Sequence, residues 1–332
     1  MRTVKWTLNI FSALVLLFVF MTEECISASK ATKDKPLSNY EKFKPYEPVP
    51  IDQSKVYGPA EGKKIKLFIL SGQSNMVGQG ASYQLDDAAK RGNERVLMFE
   101  NGKWQPLRPL KKNFGPEIAF GREMAKAWPN ETIGIVKQAV GGTGILAWHP
   151  NWTKEQANRT NDARKGNLWK ALTDKVQKAC AAADCQIVGF VWLQGGKDMQ
   201  KVDLAREYLD NLKALVQGIR KKFDVPDMPF VLGSYRMKSL PEDLSGMEGK
   251  VKAFTARQGA YYVLQAQYEA EKALPPANMV PLIDIERHPN DVHFNTNGQL
   301  KAGKLFAEGY LELVRKTGMN TAKAPCCTLA KD

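Results

Sequence analysis

The chain has 332 residues, of which 43% are hydrophobic and 25% are charged, and this composition argues against a disordered chain. Three histidines, and five cysteines without a Cys-x-x-Cys pair, argue against a zinc finger and a disulfide scaffold. The formal net charge of +13 fits a nucleic-acid partner, a polyanionic substrate or a solvated surface. We expect a solvated basic surface and no nucleic-acid partner, because the charge is dispersed and no nucleic-acid-binding motif accompanies it.

Residues 1–28 have the pattern of a secretory signal peptide. Arg2 and Lys5 precede an apolar run over residues 10–21, which is too short for an ordinary transmembrane span, and small residues at 27–29 offer a cleavage zone. An uncleaved anchor is the alternative. We expect a secreted or periplasmic protein with no stable membrane span once the signal is removed.

The remaining chain divides into three parts. Residues 29–61 are rich in lysine and proline and predict a linker, residues 62–317 predict one α/β domain, and residues 318–332 form a polar tail. Export makes disulfides feasible: Cys180 and Cys185 are close enough in sequence to bridge, whereas the adjacent Cys326 and Cys327 are either free or paired elsewhere. The spacing leaves the connectivity open.

Apolar runs alternate with amphipathic stretches from residue 64 onward. The runs are typical of strands and occupy residues 65–70, 133–140, 187–193, 230–233 and 279–283. Helical stripes cover 168–176, 204–219 and 300–314, and Gly115-Pro116-Glu117 begins a further helix. This alternation predicts a parallel sheet covered by helices on both faces. Ligands of such sheets bind beyond the carboxyl ends of the strands.

The first and second predicted strands end in glycine-rich turns. Ser74 follows the first strand, and we interpret it either as a nucleophile beside an amide that stabilises an oxyanion or as a helix N-cap in a ligand-binding turn. The second strand ends in Gly141-Gly142-Thr143-Gly144, which either presents free amides to a ligand or forms a plain turn. Trp148 follows this loop, and we expect it to pack in the core rather than to contact substrate.

The third and last predicted strands also end in polar residues. Gln194 ends the third strand, where its amide either donates to a developing negative charge or satisfies loop backbone. His293 lies before the final helix with Asp291 nearby, and a histidine beside a carboxylate is the base that a serine nucleophile needs. We interpret His149 and His288 as surface or loop residues.

The four loops together resemble the SGNH hydrolase superfamily, and more narrowly its sialate O-acetylesterase-like branch, which includes the acetylxylan esterases of carbohydrate esterase family six. The resemblance covers residues 64–316 through Gly-Gln-Ser-Asn-Met around Ser74, Gly-Gly-Thr before Trp148, Trp-x-Gln-Gly at Gln194 and Asp-Val-His-Phe-Asn at His293. It implies a three-layer α/β/α sandwich with a flavodoxin-like, five-stranded parallel sheet, and removal of O-acetyl groups from carbohydrates without a metal.

The resemblance also implies roles for individual residues. Ser74 matches the family nucleophile and His293 its general base, while the oxyanion donors are the backbone amides of Ser74 and Gly142 and the side chain of Gln194. Apart from the resemblance, we expect the remaining polar or aromatic residues of these loops to contact substrate or to support the site: Asn75, Thr143, Trp148, Asn290 and Asp198.

The sequence departs from the family pattern at two positions. The acid that usually precedes the histidine by three residues is replaced by Asn290, so the orienting group is Asp291, Asn290 itself, or a substitute such as Asp198 or Asp284. The third block carries Gly196 where the family has glutamate.

We therefore expect an exported serine esterase that acts on acetylated carbohydrate, with an anionic polysaccharide among the candidates. A covalent acetyl-enzyme requires no cofactor. Three alternatives remain: a catalytically impaired, carbohydrate-binding relative, an esterase of non-carbohydrate esters, and a polyanion binder.

Overall fold

The computed structural model describes residues 46–234, 259–289 and 292–319. The strands in these ranges are β1 (Ile65–Gly72), β2 (Gly80–Ala81), β3 (Val96–Glu100), β4 (Lys103–Pro106), β5 (Asn113–Phe114), β6 (Thr132–Ala139), β7 (Cys185–Leu193), β8 (Phe230–Ser234) and β9 (Ala277–Pro281). The helices are α1 (Ser74–Val77), α2 (Asp87–Arg91), α3 (Glu117–Ala127), α4 (Lys154–Asn158), α5 (Leu168–Ala182), α6 (Val202–Arg206), α7 (Tyr208–Lys222), α8 (Ala260–Ala273) and α9 (Thr296–Thr317).

The five predicted strands lie side by side in the order β6-β1-β7-β8-β9, and all four pairings are parallel. Numbered along the chain, this order is 2-1-3-4-5, which defines a flavodoxin-like sheet and confirms the expected fold. The prediction of five strands was nevertheless too low. In the described part of the chain, β3 pairs parallel with β6, and β4 pairs antiparallel with β3, so the sheet has seven strands.

Helices cover both faces of this sheet. Every residue of β1 is buried, and alternate side chains belong to opposite cores: Leu67 and Ile69 to one, Phe68 and Leu70 to the other. Residues of α5, α7 and α8 complete the first core, and residues of α3 and α9 complete the second. A strand buried on both sides has no polar face, which explains the continuous apolar runs in the sequence.

The register of the central strands places their loops together. Gly72 at the end of β1 pairs with Ala139 on β6 and with Leu193 on β7. The three strands therefore end at the same level. Because parallel strands share one carboxyl edge, Ser74, the 140–144 loop and Gln194 emerge beside one another.

Three local predictions need correction or completion. The stripe over residues 204–219 forms two helices, α6 and α7, which are separated at Glu207. Helix α8 was not predicted. No disulfide joins Cys180 to Cys185, and Cys185 is buried with its Sγ 3.7 Å from the carbonyl oxygen of Ala179.

Several predictions fall outside the described residues. These are the signal peptide at 1–28, the linker up to residue 45, Cys326, Cys327 and the tail from residue 320. None of the helices in the described ranges is long and apolar enough to cross a membrane.

Candidate active site

Ser74 is the first residue of α1, directly after a tight turn at the end of β1; the helix N-cap is Gln73, so the interpretation of Ser74 as the N-cap was wrong. Gly72 has φ of 148°, and a Cβ there would lie 2.1 Å from the carbonyl oxygen of Leu193, so only glycine fits this turn. The same carbonyl accepts a hydrogen bond from the Gln73 amide at 3.0 Å. Ser74 is half-buried, and no acceptor among the described residues pairs with its backbone N–H. The turn therefore presents a hydroxyl and an available amide at the carboxyl edge of the sheet.

A buried ion pair holds the far end of α1. Lys137 Nζ lies 2.8 Å from the Glu117 carboxylate, and both side chains are largely buried. The same Nζ donates to the carbonyl oxygen of Val77, the last residue of α1, at 3.0 Å. Gly78 follows with φ of 103° and passes so close to Phe114 that a Cβ would lie 2.2 Å from its backbone. The position of the Ser74 turn is thus set from both ends.

The side chain of Asn75 joins this turn to the segment that carries His293. Its Nδ2 donates to the carbonyl oxygen of Val292 at 3.1 Å, and its Oδ1 accepts from the amide of Phe294 at 3.0 Å. Asn75 is only 2% exposed, so water does not compete for these bonds. One buried side chain, adjacent to Ser74, therefore binds the backbone on both sides of His293.

Helix α9 makes a second connection to the same turn. Gln299 is fully buried, and its neighbours decide the orientation of its amide. In that orientation the Nε2 of Gln299 donates to the Asn75 carbonyl oxygen at 3.1 Å, and its Oε1 accepts from the Gln79 amide at 3.2 Å. Asn295 caps the start of the helix by accepting from the amide of Gly298 at 2.9 Å.

His288 is a partly exposed loop residue, as expected, and it contacts the segment that carries His293. Its backbone amide donates to the His293 carbonyl oxygen at 2.9 Å, and its Nε2 lies 2.9 Å from the carbonyl oxygen of Gln79. Burial lowers the pKa of His293, and the charge of His288 lowers it further. A lowered pKa keeps the His293 imidazole neutral at neutral pH, the state in which it accepts a proton. The sequence signal for His288 was the His-x₄-His spacing around one tight loop.

The glycine loop after β6 lies against Ser74. The Val140 amide donates to the Gly72 carbonyl oxygen at 3.0 Å, and a Cβ on Gly141 would lie 3.8 Å from the Ser74 Cβ. Gly142 has φ of 66°, is exposed, and makes no backbone hydrogen bond through its N–H to the part of the chain that the structure describes. The sequence-predicted Ser74 and Gly142 amides are thus brought to the same edge of the sheet.

Gln194 lies beside this loop but offers no free N–H in the observed geometry. Its Nε2 donates to the carbonyl oxygen of Thr143 at 2.8 Å and to the carboxylate of Asp198 at 2.5 Å. These bonds use both hydrogens of the amide, and the residue is fully buried. Oxyanion donation by this side chain would therefore require the amide to rotate.

Asp198 connects the Gln194 loop to the glycine loop from a buried position. It is fully buried, and its carboxylate accepts from Gln194 and from the backbone amide of Ile145 at 3.1 Å. Burial raises the pKa of this carboxyl to about 7, against the lowering effect of these hydrogen bonds.

Thr143 and Trp148 are also supporting residues, because both are fully buried. The indole Nε1 of Trp148 donates to the Thr143 hydroxyl at 3.2 Å, and that hydroxyl donates to the Val140 carbonyl oxygen at 2.8 Å. The Trp148 ring packs edge-on against Trp192 with centroids 5.6 Å apart. Trp148 therefore packs in the core.

Two predicted site residues, Asn290 and Asp291, lie outside the described residues. Gly196, which replaces the glutamate of the family pattern, is buried directly after the Gln194 loop begins. Asp284 is exposed, and its backbone carbonyl accepts from Lys301 Nζ at 3.0 Å.

The fold is a three-layer α/β/α sandwich with a flavodoxin-like sheet, and the candidate loops lie together at the carboxyl edge of that sheet. Residues 64–312 match the family described as "Carbohydrate esterase, sialic acid-specific acetylesterase", and the chain belongs to this family. This membership confirms the resemblance drawn from the four motifs. It makes the chain a carboxylic ester hydrolase and implies an acetylated carbohydrate as substrate.

The chain is also similar to relatives of known sequence or structure. The chain is 23% identical over 272 residues to the probable carbohydrate esterase At4g34215 of Arabidopsis thaliana, covering 74% of this chain and 90% of the relative. The X-ray structure of that protein gives a TM-score of 0.57 at 20% identity, over 75% of this chain and 99% of the other. NanS gives 0.55 at 16% identity, over 76% and 98%. XAC1771, a carbohydrate acetylesterase from Xanthomonas citri, gives 0.53 at 18% identity, over 76% and 57%.

Proposed function

We propose that the chain is a serine acetylesterase that removes O-acetyl groups from carbohydrate, with Ser74 as nucleophile and His293 as general base. The observation that carries this proposal is the Asn75 side chain, which binds the backbone on both sides of His293 while its own backbone follows Ser74. A nucleophile and its base must be held within hydrogen-bond reach of each other, and this contact provides the constraint.

The proposed reaction has two steps. Ser74 Oγ forms a bond to the acetyl carbonyl carbon while His293 takes the hydroxyl proton, and negative charge collects on the carbonyl oxygen. The bond to the sugar oxygen then breaks, and His293 returns its proton to that oxygen. Water attacks the acetyl-enzyme in the same way, which releases acetate and restores Ser74.

The proposed oxyanion hole consists of the backbone amides of Ser74 and Gly142. Both lack a backbone acceptor within the described ranges, and both lie at the carboxyl edge. Two aligned amides stabilise a tetrahedral oxyanion in a partly dehydrated site. Gln194 supports the loop in its observed orientation and joins the donors only if its amide rotates.

We assign the orienting group of His293 to the 290–291 pair. The carboxylate of Asp198 is an unsuitable substitute, because it is already bound to Gln194 and Ile145. Asp291 remains the proposed acid, with Asn290 as a neutral alternative. The variant Asp291→Asn should lower kcat if Asp291 is the orienting acid. The variant Asn290→Asp should change kcat if residue 290 orients His293.

The export signal at residues 1–28, the linker at 29–61, the domain at 62–317 and the tail at 318–332 remain our proposed organisation. A net charge of +13 would favour binding of an anionic polysaccharide substrate. Determining the N-terminal residue of the exported protein tests the proposed boundary between the signal peptide and the linker at residues 28 and 29.

Acetate release from acetylated polysaccharides and from 4-nitrophenyl acetate tests the proposed function. Ser74→Ala should reduce the rate at least 10³-fold, and a fluorophosphonate should label the wild type but not this variant. Ser54→Ala, at an exposed position on the same chain, is the matched control and should retain full activity. Wild-type activity in Ser74→Ala would refute the assignment. Glycan binding without acetate release or labelling would instead favour the carbohydrate-binding alternative.

A further inference from the structure

Lys165 contacts the glycine loop that carries the proposed oxyanion donor Gly142. No sequence motif predicted these contacts. Lys165 ends a short 3₁₀ turn, Ala163–Lys165, and its Nζ donates to the carbonyl oxygens of Gly141 and Gly142, both at 2.9 Å. The same ammonium pairs with the Asp162 carboxylate at 2.8 Å. All three bonds of the ammonium therefore end on the loop or on its support.

The bond to Gly141 constrains the Gly142 amide through the geometry of the peptide unit. The carbonyl of Gly141 and the N–H of Gly142 belong to one planar, trans peptide, so they point in opposite directions. Fixing the carbonyl oxygen toward Lys165 therefore fixes the direction of the N–H. Two consecutive glycines, one with φ of 66°, would otherwise permit many orientations of this peptide.

The ammonium itself is rigidly held. The side chain of Asp162 is only 1% exposed, and its carboxylate also accepts from the Gly144 amide at 2.8 Å and from the Thr160 hydroxyl at 2.6 Å. Asp162 thus anchors the loop directly at Gly144 and, through Lys165, at the two preceding carbonyls. The side chain of Lys165 is 32% exposed, so this anchor lies at the rim of the site.

We propose that Lys165 is a positioning residue of the oxyanion hole, which orients and polarises the peptide whose N–H belongs to Gly142. The inference rests on the proposed function, because the Gly142 N–H stabilises an oxyanion only if the chain is the proposed esterase. The positive charge of the Lys165 ammonium, next to the Gly141 carbonyl oxygen, draws electron density from the peptide and makes the Gly142 N–H a stronger donor. Lys165 does not touch substrate in this role.

The test compares Lys165→Met and Lys165→Arg with wild type on 4-nitrophenyl acetate, with rates normalised to sites titrated by a fluorophosphonate. When an oxyanion hole lacks one aligned hydrogen-bond donor, kcat falls by up to roughly 10²-fold. We expect Lys165→Met to lower kcat about 10- to 100-fold with KM within about twofold. Lys165→Arg should recover most of this loss, because a guanidinium can donate to both carbonyls.

Phenylboronic acid supplies a readout that a merely structural role would not change. It forms a tetrahedral adduct with a serine nucleophile, so its inhibition constant should rise in Lys165→Met by the factor by which kcat/KM falls. Lys213→Met is the matched control, because Lys213 also pairs with an aspartate three residues earlier and its side chain is 35% exposed. This control should retain wild-type kcat.

Two results would overturn the proposal: a kcat for Lys165→Met within twofold of wild type, or a lowered kcat with unchanged boronate inhibition. Titrated sites remove the contribution of misfolded protein, and Lys165→Arg gives a second folded variant if Lys165→Met is unstable. Failure of the proposed function has a different signature, namely activity retained in Ser74→Ala.

Discussion

Replacing Asn75 with alanine tests whether one buried amide holds the two halves of the site together. The change removes the bond to the Val292 carbonyl at 3.1 Å and the bond from the Phe294 amide at 3.0 Å. The loss of such a bond at a buried backbone group, such as the Phe294 amide, costs about 1–3 kcal/mol. The loss at Val292 costs less, because this residue is 44% exposed and water replaces the bond. We therefore expect the free energy of unfolding to fall by about 1–3 kcal/mol.

The expected effect of Asn75→Ala on turnover is larger than its effect on stability suggests. A displacement of about 1 Å between reacting groups costs roughly 10²-fold in rate. We therefore expect kcat for acetate release to fall about 100-fold. Asn75→Asp should give an intermediate loss, because it keeps an acceptor for the Phe294 amide but cannot donate to the Val292 carbonyl.

Asn278→Ala is the matched control for this experiment. Asn278 lies near the amino end of β9 and donates to the carbonyl of Gly309 on α9 at 2.7 Å. Its removal should lower the free energy of unfolding by about 1–3 kcal/mol and leave kcat unchanged. Urea unfolding and steady-state kinetics measure both quantities. If Asn75→Ala loses stability but keeps kcat within twofold of wild type, the reasoning from this contact to His293 is refuted.

Two further predictions concern pH. Burial raises the pKa of Asp198 to about 7, so the folded protein keeps a proton that the unfolded chain, with an aspartate pKa of about 4, has lost. Its stabilising contribution is therefore complete below about pH 4 and is lost as the pH rises to about 7. Asp198→Asn should accordingly gain stability relative to wild type over this range, by on the order of 4 kcal/mol in urea unfolding. His288→Gln removes a charge that lowers the pKa of His293, so the acid limb of kcat/KM should move to higher pH.

Each pH prediction has a clear contrary result. Parallel stability profiles for Asp198→Asn and wild type would show that Asp198 keeps an ordinary pKa. An acid limb that stays in place or moves to lower pH in His288→Gln would remove the influence of His288 on the base. His149→Gln is the control for the second experiment, because His149 accepts from the amide of Asn151 in its own turn.

The fold was largely predictable because β1, β7 and β8, in the middle of the sheet, are buried on both faces. Such strands need continuous apolar side chains, and the runs stand out from the amphipathic helices between them. The strands β3 and β4 were not predicted; β4 forms one edge of the sheet, and β3 lies between β4 and β6. A hairpin signal was nevertheless present: Asn101 and Gly102 lie between the two strands and have φ of 53° and 79°, as a two-residue hairpin turn requires.

The helical stripe from Leu204 to Ile219 shows a different limit of sequence patterns. Its apolar spacing continues through Glu207, where the structure separates two helices. Apolar residues at helical spacing specify which side faces the core, and a short interruption does not change that side. The pattern therefore predicted the buried face correctly and the continuity wrongly.

The sequence by itself determined the parallel sheet, the glycine-lined turn at Ser74 and the family motifs, because these depend on local backbone geometry and on periodic burial. The tertiary structure decided what each polar side chain contacts. In the folded chain, the Gln194 amide donates to Thr143 and Asp198. The Lys165 ammonium donates to the carbonyl oxygens of Gly141 and Gly142. Such hydrogen bonds join residues whose neighbourhood arises only when the strands align, and spacing along a chain does not encode that alignment.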